Sequence, residues 1–149
     1  MSYYNKLLDN RYSFLLDRLV LIVFIITFSL NTNAQSSSIT DVKNNCITAL
    51  KNNNINDFIS TFSNPVDISL PDNENSYSKI QAKEVMKKFL LKNKTKTFKV
   101  KQTGKSTGGS EFVIAEMGTD KGIKYHIYLL ITNSNNKASL HLVEFELLE

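Results

Sequence analysis

The chain has 149 residues, of which 42% are hydrophobic, and its formal net charge is +4. Its single cysteine, Cys46, excludes an intrachain disulfide. Both arginines, Arg11 and Arg18, lie near the N-terminus, so lysine supplies the positive charge of the remaining chain. Specific nucleic-acid recognition favours the forked contacts that arginine makes with phosphate and guanine. We therefore expect no nucleic-acid partner.

A short apolar run near the N-terminus is typical of an export signal. Residues 19–30 carry no charge, and as a helix rising about 1.5 Å per residue they would reach about 18 Å. A membrane span must cross a hydrocarbon core of ~30 Å, so no permanent membrane anchor is expected. Cleavage after the small residue Ala34 predicts a signal peptide over 1–34 and one periplasmic or secreted domain over 35–149. Acidic residues ahead of the run leave an uncleaved signal anchor as the alternative.

Three helical patterns open the predicted mature chain, each with its own start signal. Ser38 caps the first helix, and Asn54 begins a short second helix that Pro65 ends. Ser78 and Gln81 form a capping box for the third. Apolar residues at helical spacing give the three an inward face: Ile39, Val42, Cys46, Ala49 and Leu50; Ile55, Phe58, Ile59 and Phe62; Ala82, Val85, Met86, Phe89 and Leu90.

Strands account for the rest of the predicted domain. Residues 66–70 alternate as a short strand, and the polar residues 72–76 after Pro71 are expected to form a solvated loop. This loop lacks the glycine and distal glutamate of a calcium site, so no metal is expected there. After Lys92 the apolar period falls to two, which predicts four strands near 96–103, 110–118, 122–132 and 138–148.

The registers of these strands can be predicted from their turns, because a one-residue slip would exchange the two faces of a strand. We expect Thr132 to lie opposite Ala138 and Met117 to lie opposite Ile123. The inward face then becomes a continuous apolar surface that the helices cover. The main expected pairs are Ile127 with Val143, Val113 with Ile127, Glu116 with Lys124 and His126 with Glu144.

The outward face of the predicted sheet is also rich in apolar residues. A contiguous exposed area of a few hundred Å² usually marks an interaction site. We therefore expect a homodimer through this face, and the alternative is that a terminal segment or a loop covers it. The residues concerned are Phe112, Ile114, Tyr128, Leu130, Leu140 and Leu142.

The element order and several segments match a known pattern. The segments are Val66-Asp67-Ile68-Ser69-Leu70-Pro71, Tyr77-Ser78-Lys79, Gln81-Ala82 and Gly122-x-x-Tyr125-x-Ile127. They resemble an exported bacterial family, domain of unknown function 4783, across roughly residues 39–149. The element order resembles the nuclear transport factor 2-like fold. This resemblance implies an α+β cone in which three N-terminal helices pack on a curved, mostly antiparallel sheet, and it implies no assigned activity.

Catalytic candidates on the inward face are few. The predicted register places His141 inward opposite Leu129, with Glu111 on the other side of Leu129. A His141 and Glu111 pair could act as acid and base on a small apolar ligand in the cone, as an isomerase or dehydratase would. His126 is expected to point outward, and no cofactor motif is present.

The sequence therefore favours a non-catalytic binding or protein-interaction domain whose ligand it does not identify. The small-molecule enzyme with His141 is the first alternative. A structural or envelope-assembly role is the second.

Overall fold

The computed structural model describes residues 38–135 and 137–148. The predicted signal peptide and its cleavage site after Ala34 lie outside the described residues. A 3-10 helix, Thr107–Gly109, lies between the third and fourth strands. The helices and strands follow in the order α1 (Ile39–Lys51), α2 (Ile55–Ser60), β1 (Phe62–Leu70), β2 (Asn73–Tyr77), α3 (Lys79–Lys92), β3 (Thr95–Lys105), β4 (Glu111–Thr119), β5 (Lys124–Ser134) and β6 (Lys137–Leu147).

The helix starts are those that the capping residues predict. In α3 the Ser78 hydroxyl accepts from the Gln81 amide at 3.4 Å, and the Gln81 side chain accepts from the Ser78 amide at 3.1 Å. The predicted end of α2 was wrong. The helix ends at Ser60, and Phe62 begins β1, where its side chain is still buried. Pro65 lies inside that strand.

The sheet is mixed and has six strands in the order β2-β1-β6-β5-β4-β3. β1 and β6 are parallel, and every other pair of neighbours is antiparallel. The expected loop over residues 72–76 is largely β2, which pairs with β1 at the edge of the sheet. Its side chains are mostly exposed, so β2 carries no apolar alternation by which a sequence pattern could identify it.

The predicted register of the β4–β5 hairpin was wrong by two positions. That of the β5–β6 hairpin was wrong by one position next to the turn, where Thr132 lies opposite Ser139, and by two positions from Leu142 onward. Ile127 lies opposite Phe145 rather than Val143, and Ala115 rather than Val113 lies opposite Ile127. The β4–β5 turn is tighter than expected, since Gly122 has a φ of 81° and the Thr119 amide donates to the Ile123 carbonyl at 2.8 Å. A two-residue shift leaves every side chain on its predicted face.

A β-bulge in β6 reverses the predicted faces of residues 138–141. Leu142 pairs with Leu130 and Leu140 pairs with Ile131, so His141 is an extra residue between two ladder positions. Leu140 was predicted to point outward and is instead fully buried. His141 was predicted to point inward and is instead exposed.

The core lies between the inward face of the sheet and the three helices. At its centre Phe145 packs against Phe89 of α3, with ring centroids 4.9 Å apart, and edge-on against Tyr125 at 6.1 Å. No helix within the described stretches has the length and hydropathy needed to cross a bilayer. The largest fully buried side chains are Phe58, Phe145, Leu50, Ile68, Met86, Met117, Ile127, Leu129, Ile131, Leu140, Val66 and Val113.

Candidate interaction surface

The outward face of the sheet carries an apolar area, which we call the outer patch. It lies across β4, β5 and β6, where inward residues are buried and the outward residues between them are partly exposed. Alternation of this kind leaves one face of a strand in the core and the other toward solvent. The outer patch consists of Phe112, Ile114, Tyr128, Leu130 and Leu142, without the predicted member Leu140.

The aromatic part of the outer patch is held in place by its neighbours. The Phe112 and Tyr128 rings are stacked, with centroids 6.1 Å apart and planes inclined by 17°. On the adjacent strand, Gly104 pairs with Phe112, and a Cβ at Gly104 would lie only 2.6 Å from Cε1 of Phe112. Glycine therefore leaves the space that the Phe112 ring occupies, and an aromatic side chain over a strand glycine covers the exposed backbone.

Charged residues form one border of the outer patch. Lys101 of β3 makes an ion pair with Glu116 at 2.8 Å, and this hydrogen bond lowers the pKa of Glu116. His126 lies opposite Glu116 on one side and Glu146 on the other. His126 therefore points outward as predicted, but its expected pairing with Glu144 was wrong because of the register shift.

On the outward face, the strands on either side of the outer patch carry opposite charge. β3 contributes Lys99 and Lys101 on one side. On the other side Asp67 of β1 pairs with Leu142, and Glu74 of β2 pairs with the neighbouring Ser69. Asp67, Glu74 and Leu142 line an open groove of about 440 Å³. The outer patch thus lies between a basic and an acidic strip.

The predicted catalytic pair is not brought together. Glu111 lies on the inward face, where its carboxylate makes an ion pair with Lys43 of α1 at 2.6 Å. The two side chains are only 15% and 19% exposed. His141 is exposed on the opposite face of the sheet, at the bulge in β6. Glu111 therefore serves as the partner of a helix lysine.

The space between helices and sheet is filled by side chains. A cavity next to Leu50, Phe58 and Leu90 has a volume of only about 10 Å³, which is close to the least that holds one water molecule. Cys46 lies in this core and its thiol contacts the Thr61 hydroxyl at 3.3 Å. Burial raises the pKa of Cys46 to about 11. Within residues 38–135 and 137–148, no three His, Cys, Asp or Glu side chains are grouped to hold a metal ion.

Comparison with known proteins identifies the family. The profile of the family described as Domain of unknown function (DUF4783) matches residues 43–146. The chain belongs to this family. Comparison with curated proteins gave no match.

Solved structures of other DUF4783 proteins share this fold. A protein from Bacteroides ovatus is 23% identical, with a TM-score of 0.64 over 70% of this chain and 94% of that one. A protein from Bacteroides uniformis is 22% identical, with a TM-score of 0.66 over 71% of this chain and 96% of that one. An NTF2-like protein of unknown function from Cytophaga hutchinsonii is 13% identical, with a TM-score of 0.54 over 74% and 89%. This DUF4783 chain therefore has an NTF2-like α+β fold, with a curved mixed sheet and helices.

Sequence reasoning missed the acidic strip and the role of Gly104. Asp67 and Glu74 lie far from the outer patch in the chain, and only the parallel pairing of β1 with β6 brings them beside it. The signal for Gly104 was present, because a glycine inside a strand often marks a close approach by another group. The identity of that group, Phe112, depends on the pairing of β3 with β4, whose register shifts between Val100 and Gln102.

Proposed function

We propose that this DUF4783 chain is an exported, non-catalytic interaction domain that forms a two-fold homodimer through the outer patch. The observation that carries the proposal is the partly exposed apolar area across β4, β5 and β6. Aromatic residues in a preformed arrangement are frequent at the centre of protein interfaces. The stacked Phe112 and Tyr128 rings have that arrangement before any partner binds.

The charges around the outer patch favour a second copy of the same chain as the partner. A two-fold axis running along β5, in the plane between two facing sheets, would place β3 of one copy over β1 of the other. Lys99 and Lys101 of each copy would then lie on the same side of the contact as Asp67 and Glu74 of its partner. In a two-fold interface both copies use the same surface, so that surface must be complementary to itself. An apolar face with a basic strip on one side and an acidic strip on the other meets this condition.

We prefer this proposal to the small-molecule enzyme. An active site in the cone needs an open apolar pocket and a titratable group that points into it. The cone between the helices and the sheet is occupied by core side chains, while His141 and Glu111 lie on opposite faces of the sheet. The observations therefore support binding at the surface over chemistry in the interior.

The homodimer can be tested with one substitution on the outer patch. Leu130→Lys places a charge in the centre of the proposed contact, between Phe112 and Leu142, and we expect a folded monomer, since an unpaired buried charge is strongly unfavourable. Leu91→Lys is the matched control, because Leu91 is 52% exposed on α3 and is not part of the outer patch. Light scattering after size exclusion should give a dimer for the control and a monomer for Leu130→Lys. Dimers of equal stability in both variants would show that the outer patch is not the contact.

Export is supported by the leader pattern of residues 1–34 and is a separate part of the proposal. When the full chain is expressed in a Gram-negative host, we expect periplasmic or secreted material whose first residue is Gln35. N-terminal sequencing identifies that residue. Recovery of chains that still begin at Met1 in the membrane fraction would instead support an uncleaved anchor.

A further inference from the structure

A second concave surface lies at the rim of the sheet where β1 begins. It is an open groove of about 550 Å³ whose lining includes Lys79, Lys137, His141, Asn64 and Ser139. These residues come from β1, α3 and β6. The groove therefore brings together basic and hydrogen-bonding side chains that lie far apart in the sequence.

The groove exists because the pairing of β1 with β6 is interrupted. Phe62 pairs with Leu140, and the next pair is Asp67 with Leu142. Between these two pairs, residues 63–66 of β1 face His141 of β6 and form no β-ladder pair with β6. Bulges redirect side chains at the rims of sheets and beside functional sites. Here the two irregular segments open the sheet and turn His141 toward the groove.

The position of Lys79 in the groove is fixed by hydrogen bonds. Its ammonium group donates to the carbonyl oxygens of Ser60 and Phe62 at 2.9 and 3.1 Å. Its backbone amide donates to the Asn64 side chain at 3.0 Å. A lysine ammonium has three donors, so one donor of Lys79 remains for a ligand.

The groove has an excess of positive charge. Burial, and then the nearby charge of Lys137, lower the pKa of Lys79. The ion pairs in the described part of the chain are Lys43–Glu111 and Lys101–Glu116, and both lie outside the groove. Among the described residues that line the groove, none carries a carboxylate. An anion in the groove would therefore relieve the repulsion between the two ammonium groups.

We propose that this groove binds a compact oxyanion, a phosphate or sulfate group that is either free or part of an ester. The oxygen atoms of such an anion would accept from the groups that line the groove, namely the ammonium groups of Lys79 and Lys137, the His141 imidazole and the Ser139 hydroxyl. Hydrogen bonds between charged donors and an oxyanion are about twice as strong as neutral ones. The site does not depend on the proposed homodimer, since its lining residues are not those of the outer patch.

The test measures anion binding by the protein expressed from the full chain, with mass spectrometry to identify the purified form. Inorganic phosphate and inorganic sulfate are titrated at constant ionic strength, and binding is followed by calorimetry and by NMR. We expect saturable binding that Lys137→Met weakens by about tenfold, the effect of losing one charge-assisted hydrogen bond. His141→Gln should weaken binding as well. Lys83→Met, at an exposed position of α3 outside the groove, is the matched control and should bind as the wild type does.

The results of these titrations distinguish a free anion from an ester, and they test the anion site separately from the homodimer. Phenyl phosphate that binds more tightly than inorganic phosphate would identify an ester as the ligand, and equal affinity would identify the free anion. Absence of saturable binding to all three probes would overturn the proposal. Equal weakening in Lys83→Met would also overturn it, because that result reports net charge alone. Sedimentation of the same samples shows whether the homodimer forms, so failure of either proposal is recognised independently.

Discussion

Phe145→Ala and Phe112→Ala make the same change on the two faces of the sheet and should lower the free energy of unfolding by very different amounts. Phe145 is 1% exposed and packs against Phe89 and Tyr125. Truncation of a phenylalanine in such a core costs about 3–5 kcal/mol. Domains of this size have a free energy of unfolding of about 5–15 kcal/mol, so a large part of the stability would be lost.

Truncation of Phe112 to alanine should lower the free energy of unfolding much less. Its side chain is partly exposed, and within one chain its ring contacts the stacked Tyr128 ring and the backbone at Gly104. Stacking of this kind contributes about 0.5–1.5 kcal/mol beyond burial. We therefore expect Phe112→Ala to lower the free energy of unfolding by less than half as much as Phe145→Ala.

Urea denaturation followed by circular dichroism measures both values, since the chain has no tryptophan to serve as a fluorescent probe. The comparison is made below the concentration at which association begins, so that only contacts within one chain count. Equal losses in the two variants would refute the assignment of the faces, because Phe112 would then be as thoroughly covered as Phe145.

Two further predictions concern groups beneath the sheet. Lys43→Met leaves the Glu111 carboxylate, which is 15% exposed, without its partner, and should lower the free energy of unfolding by about 1–3 kcal/mol. In a double-mutant cycle, adding Glu111→Gln should recover part of this loss. Strictly additive effects of the two substitutions would contradict the ion pair. Burial raises the pKa of Cys46 from 9.0 to about 11 in the folded chain. Between pH 9.0 and about pH 11 the unfolded chain therefore binds fewer protons than the folded chain. The free energy of unfolding then falls as pH rises, by up to about 1.4 kcal/mol per pH unit. Urea denaturation from pH 8 to pH 10 should therefore show a steeper decline for the wild type than for Cys46→Ala, and identical slopes would mean that the thiol is not buried.

Much of the fold can be predicted from the sequence because the local signals are strong. The capping residues Ser38 and Ser78 predict two helix starts at the positions where the structure has them. Strict alternation in β4 and β5 predicts which side chains face the core, since that assignment survives a register error of two positions.

The predictions from sequence that were wrong concern features that no local pattern reveals. In β6 the bulged residue His141 lies between Leu140 and Leu142, and a leucine fits either face of a sheet, so the pattern looks regular with or without a bulge. β2 is a polar edge strand that has no core face to give it a period.

The candidate sites depend still more on non-local pairing. The acidic strip and the basic groove both arise where β1 lies parallel to β6, and β1 is separated from β6 by four other strands and a helix along the chain. Sequence alternation predicted most of the outer patch. It could not predict what the patch lies beside.

The central claim is that the outer patch holds two copies of the chain together. Sedimentation velocity of the wild-type mature domain, residues 35–149, measured across the micromolar range, tests it most directly. We expect the weight-average sedimentation coefficient to rise with concentration from the monomer value toward that of a dimer. A coefficient that stays at the monomer value over the whole range would contradict the claim.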